Sequence, residues 1–335
     1  MPAPPPRPLR VLEAVRPPDG TTRYIDQVVA YAGEDVCFSY ISVGEILRGR
    51  YDVVHFHWPE MLVRHRRPTV EFAKSALLQL WLVVLRWRGI AVVRTLHNLE
   101  PHEEQRAYVR RALKRLDDAT QLSVAINSTT PMPTGGVLIP HGHYRSRFAE
   151  YAKCRSEKGR LLYAGILRPY KGVEELLDAF AALPDRELTL RVVGKPTAAL
   201  REQVLDAVQR DPERVSAQLE FVPDADLVRE ITSAELICLP YREMHNSGMA
   251  LVALSLDRPV LVPDTEATRA LAEEVGPGWV HTFTGELTAD HIARVLATLR
   301  AQPTSTAPRL GGRDWEIVGR SYVNAFRTAR LRALN

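Results

Sequence analysis

His55 and His57, with Trp58 and Glu60 close behind, occupy the stretch HFHWPE at 55–60. A second group, TLHNLEPHEE at 95–104, supplies His97, Glu100, His102 and Glu103, and a third, HGHY at 141–144, supplies His141 and His143. Six of the ten histidines therefore fall in three short segments, each at the end of an apolar run. Such a grouping fits acid–base work on a hydroxyl, in which a carboxylate or a histidine takes the proton as the oxygen attacks. Zinc is the competing chemistry for clustered imidazoles. No HExxH is present, and His55 and His57 are read as pointing to opposite faces of a strand, with one of them structural, so no metal is expected. A nucleophile elbow and a Ser-His-Asp order are also missing.

The second half carries a different chemistry. LYAGILRPYKG at 162–172 is an apolar run that ends on Gly165 and continues into Arg168 and Lys171. Glycine lets a backbone approach a ligand closely, and two cations three residues apart can clamp a diphosphate as it gains charge. A strand-to-helix turn with two solvated cations would look the same. MHNSG at 244–248 opens an apolar helix that closes at Leu256. Asn246 or Ser247 would cap it, and Gly248 would leave first-turn N–H groups open to an anion, although an ordinary N-cap has this form too. Gly194 and the segment from Val222 to Asp226 follow further apolar runs and are expected to border ribose and base.

These groups need a frame. Short β-branched runs alternate with helical patterns along all 335 residues, the sequence form of parallel sheets with crossover helices. Strands are predicted over 10–15, 36–42, 52–58, 91–97, 122–127 and 137–141, and again over 160–164, 188–193, 219–222, 236–239, 260–262 and 279–282. The polar stretch 145–160 reads as a linker. The expected architecture is α/β, with Rossmann-like domains over 1–147 and 158–310, a deep cleft between them, and a helix in 311–335 packing back on the first.

Composition narrows the function. Hydrophobic residues make up 45 % and charged residues 25 %, as in an ordinary globular protein, and the net charge of +4 is too small to indicate nucleic acid. Cys37, Cys154 and Cys238 lie far apart, which fits a reducing compartment. The proline-rich opening MPAPPPRPLR is read as a leader without a secretion signal. The helical pattern at 69–88 combines leucine, valine and tryptophan with Arg86 and Arg88, downstream of RHRR at 64–67. It can be a buried domain helix or a segment that rests on anionic lipid.

Taken together, the loop RPYKG at 168–172, the blocks YDVVHFHWPE (51–60), VRTLHNLEPHE (93–103) and HGHY (141–144), then MHNSG (244–248), ALSL (253–256) and EVGPGWV (274–280), resemble the GT-B glycosyltransferases. Within that fold they are similar to the family of GDP-mannose:glycolipid 4-β-mannosyltransferases of xanthan assembly. The resemblance implies transfer of mannose from GDP-mannose, or another nucleotide sugar, to a polyprenyl-diphosphate-linked oligosaccharide in exopolysaccharide assembly. It implies inversion at the anomeric carbon, no cofactor, and a cytoplasmic position at the inner face of the plasma membrane. On this reading Arg168 and Lys171 neutralise the departing diphosphate, with Gly165, Gly194, Val222, Asn246, Ser247 and Gly248 around the donor. Glu60 leads as catalytic base, beside His57 and Glu100, while Trp58, His97, Glu103, His141 and His143 meet the acceptor. Retaining relatives carry two glutamates along the late helix, but His245 and Val252 or Ala253 stand near those positions here. A retaining transferase, a nucleotide-sugar epimerase and a membrane-associated carbohydrate-binding scaffold are the alternatives.

Overall fold

The computed structural model describes residues 7–17, 23–97, 105–242, 244–301 and 307–334. The chain forms two compact units, Met1–Gly142 with Gly312–Asn335, and His143–Gly311. The first unit is built on β1 (Leu9–Glu13), β2 (Val36–Tyr40), β3 (Val53–Phe56), β4 (Ala91–Leu96), β5 (Leu122–Ala125) and β6 (Val137–Leu138), in the order β2-β1-β3-β4-β5-β6. Every pairing is parallel. All four residues of β3 and of β5 are buried, as parallel strands covered on both faces must be.

Alternate residues divide between two cores. Val11, Val53 and Val93 pack on one face with Tyr24, Ile25 and the helix Trp315–Leu334. Leu12, Val54 and Val92 pack on the other, against the helices Pro68–Trp87 and Ala107–Ala119. In the C-terminal helix Trp315, Val318, Tyr322, Phe326 and Ala329 recur at helical spacing and form its buried stripe. Removing one such large side chain from water contributes about 1.5–3 kcal/mol. The stripe passes close to its neighbour. A Cβ at Gly319 would fall 2.1 Å from the Tyr31 carbonyl oxygen, so Gly319→Ala would push the helix off its seat.

The helix Pro68–Trp87 is long and apolar enough to cross a membrane by length and composition. One of its faces nonetheless belongs to the core, through Leu78, Trp81, Leu82 and Leu85. Proline at its start needs no hydrogen-bond acceptor for a missing N–H, and Gly89 in a left-handed conformation follows its end. Glu71 in the first turn bonds Arg106 and the Tyr108 hydroxyl, fixing this helix beside the next one.

The second unit repeats the plan with β7 (Arg160–Ala164), β8 (Thr189–Val193), β9 (Val215–Gln218), β10 (Leu236–Cys238), β11 (Val260–Pro263) and β12 (Val280–Phe283), all parallel, in the order β12-β11-β10-β7-β8-β9. Two sequence expectations differ from it. The strand placed at 219–222 lies earlier, at β9, because Leu219 and Val222 are spaced as a turn that feeds the helix Asp224–Ser233. Nor is 145–160 a free linker. Phe148 is buried in the second core, and the Cys154 and Glu157 amides donate to Thr232 Oγ1 at 2.9 Å and the Ser233 carbonyl at 2.8 Å. The second unit thus begins at His143, ahead of the expected 158.

In each sheet the strand order reverses once, between β1 and β3 and between β7 and β10. Open α/β sheets bind ligands beyond the carboxyl ends of strands at such a reversal.

Candidate active site

At the first reversal, β1 ends on Glu13 and β3 runs on to His55 and His57. Residues two apart on a strand share a face. The expectation that His55 and His57 diverge is therefore corrected: both rings turn to Glu13, His55 Nδ1 to Oε1 at 3.0 Å and His57 Nε2 to Oε2 at 2.9 Å. His57 Nδ1 meets His97 Nε2, just past β4, at 2.9 Å. His55 Nε2 meets Thr95 Oγ1 at 2.8 Å, and the line continues to the Tyr322 hydroxyl at 2.9 Å and the Tyr24 hydroxyl at 2.6 Å. Trp58 stacks on the His97 ring with centroids 4.3 Å apart.

Electrostatics sorts these groups. Burial alone would raise the Glu13 carboxyl, but the charge and hydrogen bonds of His55 and His57 outweigh it and hold it down at about 2. Burial, with His55 nearby, pushes His57 down to about 4, and burial beside the other histidines pushes His97 well below the usual imidazole range. Burial also lowers His141 to about 4, while its Nδ1–H donates to the Gly142 carbonyl at 2.8 Å. The site is one fixed carboxylate with His57, His97 and His141 all lowered by burial. Glu13, His55 and His57 also bring three metal-capable atoms within 4.8 Å of one another. Both nitrogens facing the carboxylate are placed as hydrogen-bond donors, however, and a cation would need both protons removed.

At the second reversal, β7 ends just ahead of Gly165 and β10 leads to Tyr241. A Cβ built on Gly165 would sit 3.8 Å from Met249 Cε and 3.9 Å from both Lys171 Nζ and the Tyr241 hydroxyl, so three separate segments surround one point. Lys171 Nζ donates to the Tyr241 hydroxyl at 3.1 Å and lies 4.5 Å from the centre of its ring. Ser247 caps the helix Gly248–Ser255 by accepting from the Ala250 amide at 3.2 Å, and the first amides of that helix precede its internal hydrogen bonds. Gly194 packs on Gly165, where a Cβ would fall 1.8 Å from the Gly165 carbonyl oxygen at a φ of 138°. Both glycine amides are engaged within the sheet ends, to Val193 and Gln218. Their contribution is close packing and not donation to a ligand.

The structure thus gathers His57, Trp58, His97 and His141 in the first unit, and Gly165, Lys171, Gly194, Ser247 and Gly248 in the second. Arg168 is exposed just before the short turn Pro169–Lys171, and Asn246 lies immediately ahead of the Ser247 cap. Val222 was expected to border the base, but its side chain packs in the second core. Glu60 stands in the first turn of the helix Pro59–Val63, where its charge acts on Arg94, outside the Glu13 network. His143 is buried in the second unit and accepts from the Arg145 amide at 3.3 Å. Glu100 and Glu103 lie outside the described residues. Sequence reading missed Glu13, Tyr24, Thr95, Tyr241 and Tyr322. Only Glu13 offered a signal, a carboxylate set within the apolar run 11–15.

Two Rossmann-like units, each with polar groups gathered at its strand-order reversal, define the GT-B class of glycosyltransferases. Residues 158–298 match the family described as glycosyl transferases group 1. Among solved structures, HepE of Anabaena in complex with UDP-glucose superposes with a TM-score of 0.63 at 13% identity, covering 97% of this chain and 98% of that one. The sucrose-phosphate synthase of Thermosynechococcus elongatus gives 0.60 at 16% identity over 98% and 97%. At these identities the likeness is one of fold. A GDP-mannose:glycolipid 4-beta-D-mannosyltransferase of Xanthomonas campestris pv. campestris is 42% identical over 312 residues, 93% of this chain and 89% of that protein. The chain belongs to that family of β-mannosyltransferases and is a glycosyltransferase.

Proposed function

We propose that the protein transfers mannose from GDP-mannose to a hydroxyl of a polyprenyl-diphosphate-linked oligosaccharide, with inversion at the anomeric carbon. The observation that carries this reading is the identity to the Xanthomonas transferase along almost the whole chain. The second unit holds the donor. Lys171, Arg168 and the amides that open the helix Gly248–Ser255 meet the diphosphate, and their fixed charge favours its departure. The first unit supplies the base from its histidines. Glu60 is the poorer candidate, since it stands on the helix Pro59–Val63, outside the Glu13 network. Trp58 offers a ring face to the acceptor sugar. The late helix puts buried Val252 and Ala253 where retaining relatives carry a glutamate, which favours a single displacement.

The acceptor's lipid accounts for a further feature. On the outer face of the helix Pro68–Trp87, Phe72, Leu77, Leu80, Val83 and Trp87 are all exposed, Trp87 to 82%. Basic residues Arg64, Arg66 and Arg67 precede it, and Arg86 and Arg88 close it. An apolar stripe flanked by cations on a helix whose other face is in the core suits a protein lying peripherally on anionic lipid, at the inner face of the plasma membrane.

Incubation with a panel of labelled nucleotide sugars and a lipid-linked acceptor extract tests the function. GDP-mannose is expected to label the lipid product, with a β-mannosyl linkage by NMR. An α-linkage would mean retention, loss of donor configuration without acceptor an epimerase, and no donor turnover a scaffold.

A further inference from the structure

Two segments of the second unit are tied together around Lys171. Residues 168–175 carry Lys171 and open the helix Val173–Ala181, and residues 239–242 follow β10. The Arg242 guanidinium donates to Glu174 Oε1 and to Glu175 Oε1, each at 2.9 Å, and the Arg242 amide donates to the Tyr170 carbonyl at 2.9 Å. A Cβ at Gly172 would fall 2.1 Å from the Pro240 carbonyl oxygen, at a φ of 61°, so only glycine lets the two backbones lie this close. Tyr241 stands between these ties, with its own amide on the Leu239 carbonyl at 2.8 Å and only 5% of its surface exposed. Its hydroxyl is fixed in place before any ligand arrives.

The direction of the hydrogen bond it shares with Lys171 is set by chemistry. An ammonium has three donors and no acceptor, so Lys171 Nζ donates and the Tyr241 oxygen accepts, at 3.1 Å. The phenolic hydrogen must point elsewhere, and among the described residues no group accepts it. Lys171 keeps two further hydrogens. Both polar atoms lie 3.9 Å from the point where a Gly165 Cβ would sit, at a φ of 127°, so the backbone leaves the space beside them open. Three donor hydrogens, from an ammonium and a phenol, thus lie beside a gap made by a glycine. The group that matches them is an anion rich in oxygen acceptors.

We propose that Tyr241 is a further catalytic residue of the donor site, one that holds Lys171 with its oxygen and donates its own O–H to the diphosphate oxygen leaving the sugar. The inference rests on the placement of the diphosphate at Lys171 given above. As the acceptor oxygen bonds to the anomeric carbon, the bond from that carbon to the diphosphate oxygen breaks, and its electron pair stays on that oxygen. The acceptor's proton goes to the base of the first unit. The phenol keeps its proton throughout and contributes a hydrogen bond, which strengthens as the bridging oxygen becomes anionic. The neighbouring ammonium polarises the phenol oxygen and makes its O–H the better donor.

Tyr241→Phe removes the hydroxyl and keeps the ring beside Lys171. It should lower kcat by about tenfold or more, with the donor KM within about threefold and the thermal midpoint unmoved, because the bond answers a charge that the ground state lacks. A lowered midpoint with kcat within about twofold of the parent would make Tyr241 structural. Binding gives a readout apart from turnover. GDP, which bears the freed β-phosphate oxygen, should bind the variant about tenfold more weakly, and GMP, which lacks it, within about twofold of the parent. Equal weakening of both would overturn the assignment. Lys171→Ala combined with Tyr241→Phe should lose less than the product of the two single losses, since each group supports the other, and a strictly multiplicative loss would remove the link between them. Unchanged turnover in Lys171→Ala would sink the placement of the diphosphate itself, whereas an impaired Lys171→Ala beside an unimpaired Tyr241→Phe would sink this proposal alone.

Discussion

A charge near a leaving group acts on the transition state far more than on the folded state. Lys171 sits beside Tyr241 at the point where β7, the Arg168 loop and the late helix converge, and Arg168 is solvent-exposed. Lys171→Ala and Arg168→Ala should therefore each lower kcat by about 10²–10³, an expectation for losing one preorganised charge at such a site. Because an exposed charge contributes only about 0–1 kcal/mol to folding, the thermal midpoint should barely move. Equal turnover with a lowered midpoint would make them structural. These cations were legible because they follow a strand-end glycine within a single stretch of sequence. Glu13 was not, since it lies 42 residues from one partner and 44 from the other, and only the pairing of β1 with β3 joins them. The i,i+2 spacing of His55 and His57 did contain their shared orientation, and it was misread.

At the scale of single elements, boundaries were clearest where a breaker marks them. The helix Pro68–Trp87 starts on a proline and ends ahead of Gly89, and its expected range of 69–88 differs by one residue at each end. Its partners were not legible, because both of its faces are apolar and periodicity cannot say which one finds the core. β9 shows the opposite difficulty: a strand of four residues with one buried, Val215, has almost no pattern to read. The outer face of the long helix gives a direct test. Leu80→Glu with Trp87→Glu should weaken sedimentation with anionic vesicles by about tenfold or more, since each change removes an inserted apolar group and adds a like charge to the lipid's own. Activity on a detergent-dispersed acceptor should persist. Unchanged sedimentation would remove the lipid-facing role of this face.

For the molecule as a whole, the buried histidines govern acid stability. The folded protein holds His57 and His141 at about 4, against 6.5 for an unfolded imidazole, with His97 also lowered. Below pH 6.5 the unfolded chain binds protons that the folded one refuses, so stability falls as pH drops, most steeply between about 6.5 and 4. Each such group contributes a slope of up to about 1.4 kcal/mol per pH unit. Glu13 adds a later loss. Its depressed carboxyl contributes stability above pH 4.5 that disappears as pH falls toward about 2. Urea unfolding at pH 7.5, 6.5, 5.5 and 4.5 should show a loss of several kcal/mol, and a flat profile would mean the rings bind protons in the folded protein as they do in the unfolded chain. Both α/β units were legible from alternation alone; where the second begins was not, because 145–160 is polar in sequence while a few residues such as Phe148 anchor it.

The helix Trp315–Leu334 has one more consequence. It belongs to the core that β1 begins, so the first half of the chain to leave the ribosome is the last to be complete. The second-made unit, whose sheet and core lie wholly between residues 143 and 311, can close while its predecessor still waits for its final twenty residues. A chain cut short before Trp315 would leave the histidine-bearing half without one wall of its core.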